Sequence, residues 1–146
     1  MLGIVIVTHG TLSEGLKNAS EIIMGEKVNI ATESLFEGDK IENLNIKIKN
    51  AISRVDQGHG VIIFTDILSA SPYNQSLLTV NSLDNQKKKQ IYVIAGVNLS
   101  MVLEALNHQL LNTSIQDAAK AIIKQGNNSL KCWNLQLDSP IVDDQF

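Results

Sequence analysis

The sequence predicts an α/β fold: an open, mainly parallel sheet with helices on both faces. Short apolar runs alternate with longer segments that carry apolar residues at helical spacing. Capping residues, glycines and a proline mark the boundaries between these segments. The composition, 44% hydrophobic and 18% charged over 146 residues, is typical of one globular domain. Because strand–helix–strand units cross over with a right hand, repeated units place helices on both faces of a parallel sheet.

The chain begins with a predicted strand and helix. The run from Leu2 to Val7 (LGIVIV) is short and β-branched, as in a buried strand. Thr11 and Glu14 then have the spacing of a capping box, which predicts a helix that ends at Gly25. A weaker strand is predicted within residues 28–35.

The middle of the chain repeats this order. Asp39 and Glu42 are predicted to cap a second helix. Its apolar stripe comprises Ile41, Leu44, Ile48, Ala51, Ile52 and Val55. A third strand is predicted from Val61 to Thr65 (VIIFT), and Ser71 followed by Pro72 predicts an N-cap and the first turn of another helix.

A fourth strand is predicted from Ile91 to Ala95, followed by a helix that Asn98 or Ser100 can cap. A last helix is predicted to end near Gly126. Its apolar face comprises Ile115, Ala118, Ala119, Ile122 and Ile123.

The C-terminal segment predicts an antiparallel edge strand from Ser129 to Leu137. Its alternation slips between Cys132 and Trp133, which indicates a bend or bulge. Because a long apolar edge invites aggregation, we expect this strand to be exchanged between two subunits of a dimer, although a strand folded back on its own sheet is also possible. The chain is thus predicted to be a single domain, with an α/β core over 1–126 and the edge strand and tail over 127–146.

Two titratable residues follow neighbouring strands of this predicted sheet. With the order 2-1-3-4, the first and third strands lie side by side where the strand order reverses, and ligands bind at that point of such sheets. His9 ends the first of these strands and Asp66 follows the other. A carboxylate that holds one ring nitrogen as N–H leaves the other as a nucleophile, and a helix N-terminus nearby stabilises phosphate. The sequence therefore predicts a histidine that accepts and releases a phosphoryl group.

Composition and spacing exclude several other functions. A net charge of −3 gives no general attraction to nucleic acid. Three scattered histidines and one cysteine lack metal-ligand spacing, so we expect neither a metal nor another cofactor. Gly10 and Gly15 have P-loop spacing, but Leu16 stands where that motif needs lysine. A histidine phosphatase would lack its phosphate clamp, because the only arginine is Arg54 in the second helix.

The expected location is the cytoplasm. The opening apolar run of about six residues is far shorter than a membrane span and lacks the basic region of a signal peptide. The single Cys132 excludes an intrachain disulfide and is typical of a reducing compartment.

Several motifs, in order along nearly the whole chain, resemble the mannose-type IIA component of the bacterial sugar phosphotransferase system. They are Gly3 to Gly10 (GIVIVTHG), Met24-Gly25-Glu26, Asp66 followed by Ser71-Pro72-Tyr73-Asn74, and Ala95 to Met101 (AGVNLSM). The resemblance implies that His9 receives a phosphoryl group from the phosphocarrier HPr and passes it to a IIB component, which serves a membrane sugar permease. It also implies that Asp66 orients the His9 ring, and that the protein is a homodimer with an exchanged C-terminal strand.

Four more residues are predicted to bind the phosphoryl group or to hold the loops around it. Thr8 and Gly10 flank His9. Ser71 and the N–H groups that open its helix are expected to bind the phosphate, and Asn98 is expected to stabilise the adjoining loop.

Two alternatives stay open, one of them because of a departure from the family. Ser69-Ala70 replaces two glycines that the family usually carries, and residues 66–70 resemble the phosphotransfer subunit of dihydroxyacetone kinase. The SPYN motif at 71–74 and the GVN motif at 96–98 favour the mannose type. A regulatory phosphohistidine module is the other alternative. Such modules are commonly fused to DNA-binding or ATPase domains, which this sequence lacks, so we expect a relay.

Overall fold

The computed structural model of the chain describes residues 1–25 and 28–136. Its strands are β1 (Gly3–His9), β2 (Ile30–Leu35), β3 (Val61–Thr65) and β4 (Ile91–Ile94). Its helices are α1 (Leu12–Met24), α2 (Ile41–Val55), α3 (Ser71–Asn81), α4 (Asn85–Lys88), α5 (Leu99–Leu111) and α6 (Ile115–Asn128).

The strands form one parallel sheet in the order β2-β1-β3-β4, which confirms the predicted fold and strand order. His9 pairs with Leu35 of β2, and Val7 pairs with Thr65 of β3. The central strands β1 and β3 are covered on both faces, which explains their continuous β-branched runs. The ends of β1 and β3 therefore meet where the strand order reverses.

Two apolar cores fill the space between the sheet and its helices. Ile4 and Ile6 of β1 pack in a cluster with residues of α5 and α6. The alternate residues Val5 and Val7 pack in a second cluster with the buried stripe of α2. Successive side chains of a strand point to opposite faces, so the apolar residues 4–7 of β1 alternate between the two cores. The burial of the α2 stripe agrees with its predicted spacing.

Both predicted capping boxes are wrong. Thr11 is the N-cap of α1, but its φ of −92° and ψ of 8° lie outside the extended region, and its side chain makes no capping hydrogen bond. Lys40, not Asp39, is the N-cap of α2. Asp39 Oδ2 instead accepts a hydrogen bond from the N–H of Phe36, at 2.8 Å.

Two further helix boundaries differ from the predicted ones, and one helix was not predicted. Ser71 is the first residue of α3, and Ala70 is its N-cap. The short helix α4, capped by the Asp84 side chain, was not predicted. The last helix continues past Gly126 to Asn128, and a Cβ at Gly126 would come within 2.8 Å of the Met101 side chain. Gly126 therefore allows α5 and α6 to pack closely and does not end the helix.

The predicted C-terminal strand does not form in the described residues 129–136, where only Cys132 occupies an isolated bridge position. Leu137 lies outside the described residues. Trp133 and Leu135 are 66% and 83% exposed. Because this stretch makes no ladder with the sheet of its own chain, its apolar side chains stay open to solvent.

Candidate functional site

His9 and Asp66 meet at the carboxyl edge of the sheet. His9 is the last residue of β1, and Asp66 directly follows the neighbouring strand β3. The His9 ring Nδ1 lies 2.8 Å from Asp66 Oδ2, and the main-chain N–H of His9 donates to the same oxygen, also at 2.8 Å. The His9 side chain is 49% exposed, whereas that of Asp66 is only 10% exposed. The structure thus brings together the two residues on which the predicted site depends.

The Asp66 carboxylate sets the tautomer of the His9 ring. The pKa of Asp66 is lowered. Burial raises it, but this effect is outweighed by hydrogen bonds from the main chain and ring of His9 and from the N–H of Ile67, and by the charge of His9. An ionised carboxylate only accepts hydrogen bonds, so Nδ1 of His9 carries the proton. In the neutral ring the lone pair is then on Nε2, and the ring is half-exposed. This arrangement suits a nucleophile that accepts a transferred group.

Thr8 and Gly10 shape the turn on either side of His9. Thr8 is fully buried, and its Oγ1 accepts a hydrogen bond from the N–H of Ser13, in the first turn of α1, at 2.8 Å. The same hydroxyl donates to the carbonyl of His9 at 3.1 Å. Gly10 has a φ of +55°, which favours glycine, and its N–H donates to the Leu35 carbonyl at 2.9 Å. Both residues hold the loop, and the Thr8 hydroxyl is not open to an anion.

Ser71 lies at the N-terminus of α3, after the loop that follows Asp66. In that loop Ser69 has a φ of +65°, the left-handed conformation that glycine adopts most easily. The Asn74 side-chain amide donates to the Ser69 carbonyl at 3.0 Å. The loop therefore has a glycine-like backbone at Ser69, the position where the resemblance described above implies glycine.

Asn98 is the N-cap of α5, and its side-chain oxygen accepts a hydrogen bond from the N–H of Met101 at 3.0 Å. The preceding residues Gly96 and Val97 donate main-chain hydrogen bonds to the carbonyls of Asp66 and Thr65. The loop after β4 is thus joined to the loop after β3, beside the His9–Asp66 pair.

Exposed apolar side chains surround this edge of the sheet, and the sequence analysis missed them. Leu12 is 48% exposed, Phe36 46%, Ile67 60% and Leu68 65%. We call these four residues the apolar rim. They follow β1, β2 and β3 at the same edge as His9. The detectable signal was the pair Ile67-Leu68 in a predicted loop, where exposed apolar residues are unusual.

Within the described residues, neither the other histidines nor the acidic groups add a metal centre. Among residues 1–25 and 28–136, no three His, Cys, Asp or Glu side chains are grouped so that they could hold a metal ion. His108 contacts Glu104 and Thr113 at the far end of α5. In the same described part of the chain, no helix is long and apolar enough to cross a membrane.

Comparison with known proteins gives consistent matches. Residues 3–139 match the family EIIA-man, described as PTS system fructose IIA component. A Bacillus subtilis (strain 168) protein named PTS system fructose-specific EIIA component is 30% identical over 107 residues, covering 73% of this chain and 70% of that protein. The sorbose-specific EIIA component of Lacticaseibacillus casei is 33% identical over 112 residues, covering 76% and 77%. The mannose-specific EIIAB component of Escherichia coli (strain K12) is 28% identical over 130 residues. These residues cover 89% of this chain but only 39% of that protein.

Solved structures show the same fold. The mannose/sorbose specific IIA subunit from Enterococcus faecalis superposes with a TM-score of 0.78 at 19% identity, covering 94% of this chain and 98% of that chain. The phosphotransferase system component EIIA from Streptococcus agalactiae gives 0.75 at 24% identity, covering 89% and 95%.

Proposed function

Because the chain belongs to the EIIA-man family of IIA components of the sugar phosphotransferase system, we propose that it is a cytoplasmic phosphocarrier whose His9 accepts a phosphoryl group from phospho-HPr and donates it to a IIB component. The observation that carries this proposal is the contact between His9 Nδ1 and Asp66 Oδ2. It leaves Nε2 as the one ring nitrogen with a lone pair. Transfer to IIB would in turn supply phosphoryl groups for sugar uptake through a membrane permease.

The proposed transfer is an in-line exchange of one bond for another. The Nε2 lone pair of His9 attacks phosphorus, a P–N bond forms, and the bond from phosphorus to the donor breaks with its electron pair on the donor. The Nδ1 proton stays in place because Asp66 accepts it as a hydrogen bond. The positive charge that the ring gains is balanced by the Asp66 carboxylate, which is mostly buried and therefore weakly screened. The second transfer, to IIB, reverses these steps.

The surroundings of His9 support an incoming phosphoryl group. The N-terminus of α1 lies just after His9, and α3 begins at Ser71, after Asp66. Helix N-termini point N–H groups and partial positive charge toward anions. We propose that Ser71 and the N–H groups of its first turn bind the phosphoryl oxygens. Thr8, Gly10 and Asn98 hold the loops in place through the bonds described above.

We further propose that the apolar rim receives the partner proteins. Its four side chains lie around a reacting group that must be approached by two different proteins in turn. A central apolar surface with few charges suits such transient docking, because no buried ion pair has to form and break in each cycle.

A homodimer with an exchanged C-terminal strand remains part of the proposal. Trp133 and Leu135 are exposed in the single chain. An open cavity of about 660 Å³ lies between the outer strand β4, at Tyr92, and the face of α6 that includes Ile123. A strand from a second copy could cover both apolar surfaces.

The two alternatives predicted from the sequence are less well supported. Residues 66–70 resemble the dihydroxyacetone kinase subunit in sequence, but Ser69 within them adopts a glycine-like backbone. The relatives described above carry fructose-specific, sorbose-specific and mannose-specific names, which favour a sugar relay over a regulatory module.

The direct test is incubation of the purified chain with phospho-HPr, followed by mass spectrometry under neutral or basic conditions, where a phosphohistidine survives. We expect one phosphoryl group per chain and none on His9→Ala. The matched control is His59→Ala, which removes an exposed loop histidine and should leave phosphorylation unchanged. Phosphorylation of His9→Ala, or no phosphorylation of the unsubstituted chain, would contradict the proposal.

A further inference from the structure

Three buried hydroxyl groups lie directly beneath the turn that carries His9. Thr8 and Ser34 are register partners on β1 and β2, and Ser13 is in the first turn of α1. Thr8 and Ser13 are fully buried, and Ser34 is 6% exposed. The hydroxyls of Ser13 and Ser34 are 3.1 Å apart. We call Thr8, Ser13 and Ser34 the hydroxyl cluster. Buried hydroxyls are costly unless they are hydrogen-bonded, so each needs a role.

The Thr8 hydroxyl connects this cluster to His9. It accepts the N–H of Ser13 and donates its only hydrogen to the carbonyl of His9. Asp66 binds the other side of the His9 backbone, because its carboxylate accepts the main-chain N–H of His9. The backbone of His9 is thus held at its N–H by a residue after β3 and at its carbonyl by the hydroxyl of Thr8.

We infer that Thr8 is a positioning residue for phosphoryl transfer: its hydroxyl fixes the His9 backbone so that the ring can reach Asp66. This inference rests on the proposed function. One oxygen of Asp66 accepts both the N–H and the ring Nδ1 of His9, and both bonds can be short only while the His9 backbone keeps its orientation. When the Thr8 hydroxyl is removed, the carbonyl of His9 loses its hydrogen-bond donor and the ring leaves Asp66 more often.

A helix-capping role for Thr8 makes a different prediction. A residue that only caps α1 contributes to stability, and its loss leaves the transfer rate of each folded molecule unchanged. A positioning residue changes that rate, because displacing a reacting atom by 1 Å can slow a reaction about 10²-fold.

The chain offers a matched control in Thr65. It is fully buried like Thr8 and ends β3, the strand beside β1. Unlike Thr8, its Oγ1 has no hydrogen-bond partner among the described residues. Thr65→Val and Thr8→Val therefore make the same chemical change at the same edge of the sheet, but only the second removes a bond to His9.

The test compares steady-state phosphoryl acceptance from phospho-HPr by Thr8→Val, Thr8→Ser and Thr65→Val. We expect Thr8→Val to lower kcat about tenfold with KM within about twofold, because the docking surface is untouched. Thr8→Ser keeps the hydroxyl and should transfer within about threefold of the unsubstituted rate, and Thr65→Val should be unchanged. A folded Thr8→Val with unchanged kcat, or with only KM raised, would overturn the inference. If Thr8→Val does not fold, the pair Thr8→Ala and Thr8→Ser, which differ by the hydroxyl, decides in the same way.

A second measurement needs no phosphoryl donor. Nitrogen-15 NMR of the His9 ring should show the Nδ1–H tautomer in the unsubstituted protein and in Thr65→Val, and a mixture of tautomers in Thr8→Val. If Thr8→Val shows this mixture of tautomers but phospho-HPr does not phosphorylate the unsubstituted chain, the proposed relay is refuted and the positioning role is supported. An unchanged tautomer in Thr8→Val would overturn the positioning role while leaving the relay standing.

Discussion

The ring Nδ1 and the main-chain N–H of His9 both lie 2.8 Å from a single oxygen of Asp66. The second oxygen of Asp66 accepts the N–H of Ile67 at 2.9 Å. One carboxylate therefore joins the end of β1 to the loop after β3 and leaves Nε2 of His9 as the ring nitrogen that does not contact Asp66.

Asp66→Asn should slow phosphoryl transfer roughly 10²-fold, the lower end of what a positioned acid–base partner contributes. The amide can donate to Nδ1 as well as accept from it, so it does not fix the His9 tautomer, and because it is uncharged it does not balance the charge of the phosphorylated ring. Single-turnover transfer from phospho-HPr measures the effect. Asp56→Asn is the control, because Asp56 also accepts a loop N–H, that of Gly58, but has no bond to His9 or to the apolar rim. Equal transfer rates for the two variants would contradict the role assigned to Asp66.

The lowered pKa of Asp66 predicts a pH-dependent contribution to stability. A carboxyl whose folded pKa is lowered stabilises the fold above its unfolded pKa of about 3.9, and that stabilisation is lost as the pH falls through the folded pKa. The difference in free energy of unfolding between the unsubstituted chain and Asp66→Asn should therefore be larger at about pH 6 than at about pH 3. Urea unfolding at both pH values measures it. A difference that does not change with pH would contradict the assignment.

Ser69→Gly should stabilise the protein by about 1 kcal/mol, because it relieves a left-handed backbone conformation that disfavours a side chain. Urea unfolding measures the gain. The matched control is the next residue, Ala70, whose φ is −82°. There no left-handed strain is relieved: the added freedom of the unfolded chain is offset by the preference for glycine over alanine at the N-cap of α3, so Ala70→Gly should change stability by less than about 0.5 kcal/mol. Loss of stability in Ser69→Gly would show that the loop does not need a left-handed residue.

The dimer proposal predicts that deletion of residues 129–146 gives a monomer, because it removes the segment expected to pair with a second copy. Deletion of residues 138–146 is the control, since it keeps the whole predicted strand, and this variant should stay dimeric. Sedimentation velocity at micromolar concentration distinguishes the two. A full-length chain that sediments as a monomer would refute strand exchange.

The sheet and the central pair of residues could be predicted from the sequence because both follow from general rules. In the part of the chain that the structure describes, β-branched runs and helical stripes located the four strands and five of the six helices. The handedness of crossovers and the switch point of an open sheet then placed His9 beside Asp66 without any knowledge of side-chain contacts.

What could not be predicted depends on contacts between distant segments. The Thr11–Glu14 pattern predicts a local cap, but the backbone of Thr11 is not extended, and the buried hydroxyl of Thr8 accepts the N–H of Ser13 instead. Gly126 resembles a helix stop, yet its position is explained by the side chain of Met101 in another helix. The C-terminal strand depends on a pairing partner that local alternation does not specify.

The central claim is that Nε2 of His9 carries the phosphoryl group while Asp66 holds the proton on Nδ1. Two-dimensional proton–nitrogen NMR of the nitrogen-15-labelled protein, recorded after phosphorylation by phospho-HPr, tests it most directly, because phosphorus couples to the nitrogen that it binds. We expect coupling to Nε2 of His9, with Nδ1 still protonated and hydrogen-bonded. Phosphorus on Nδ1 of His9, or on His59 or His108, would contradict it.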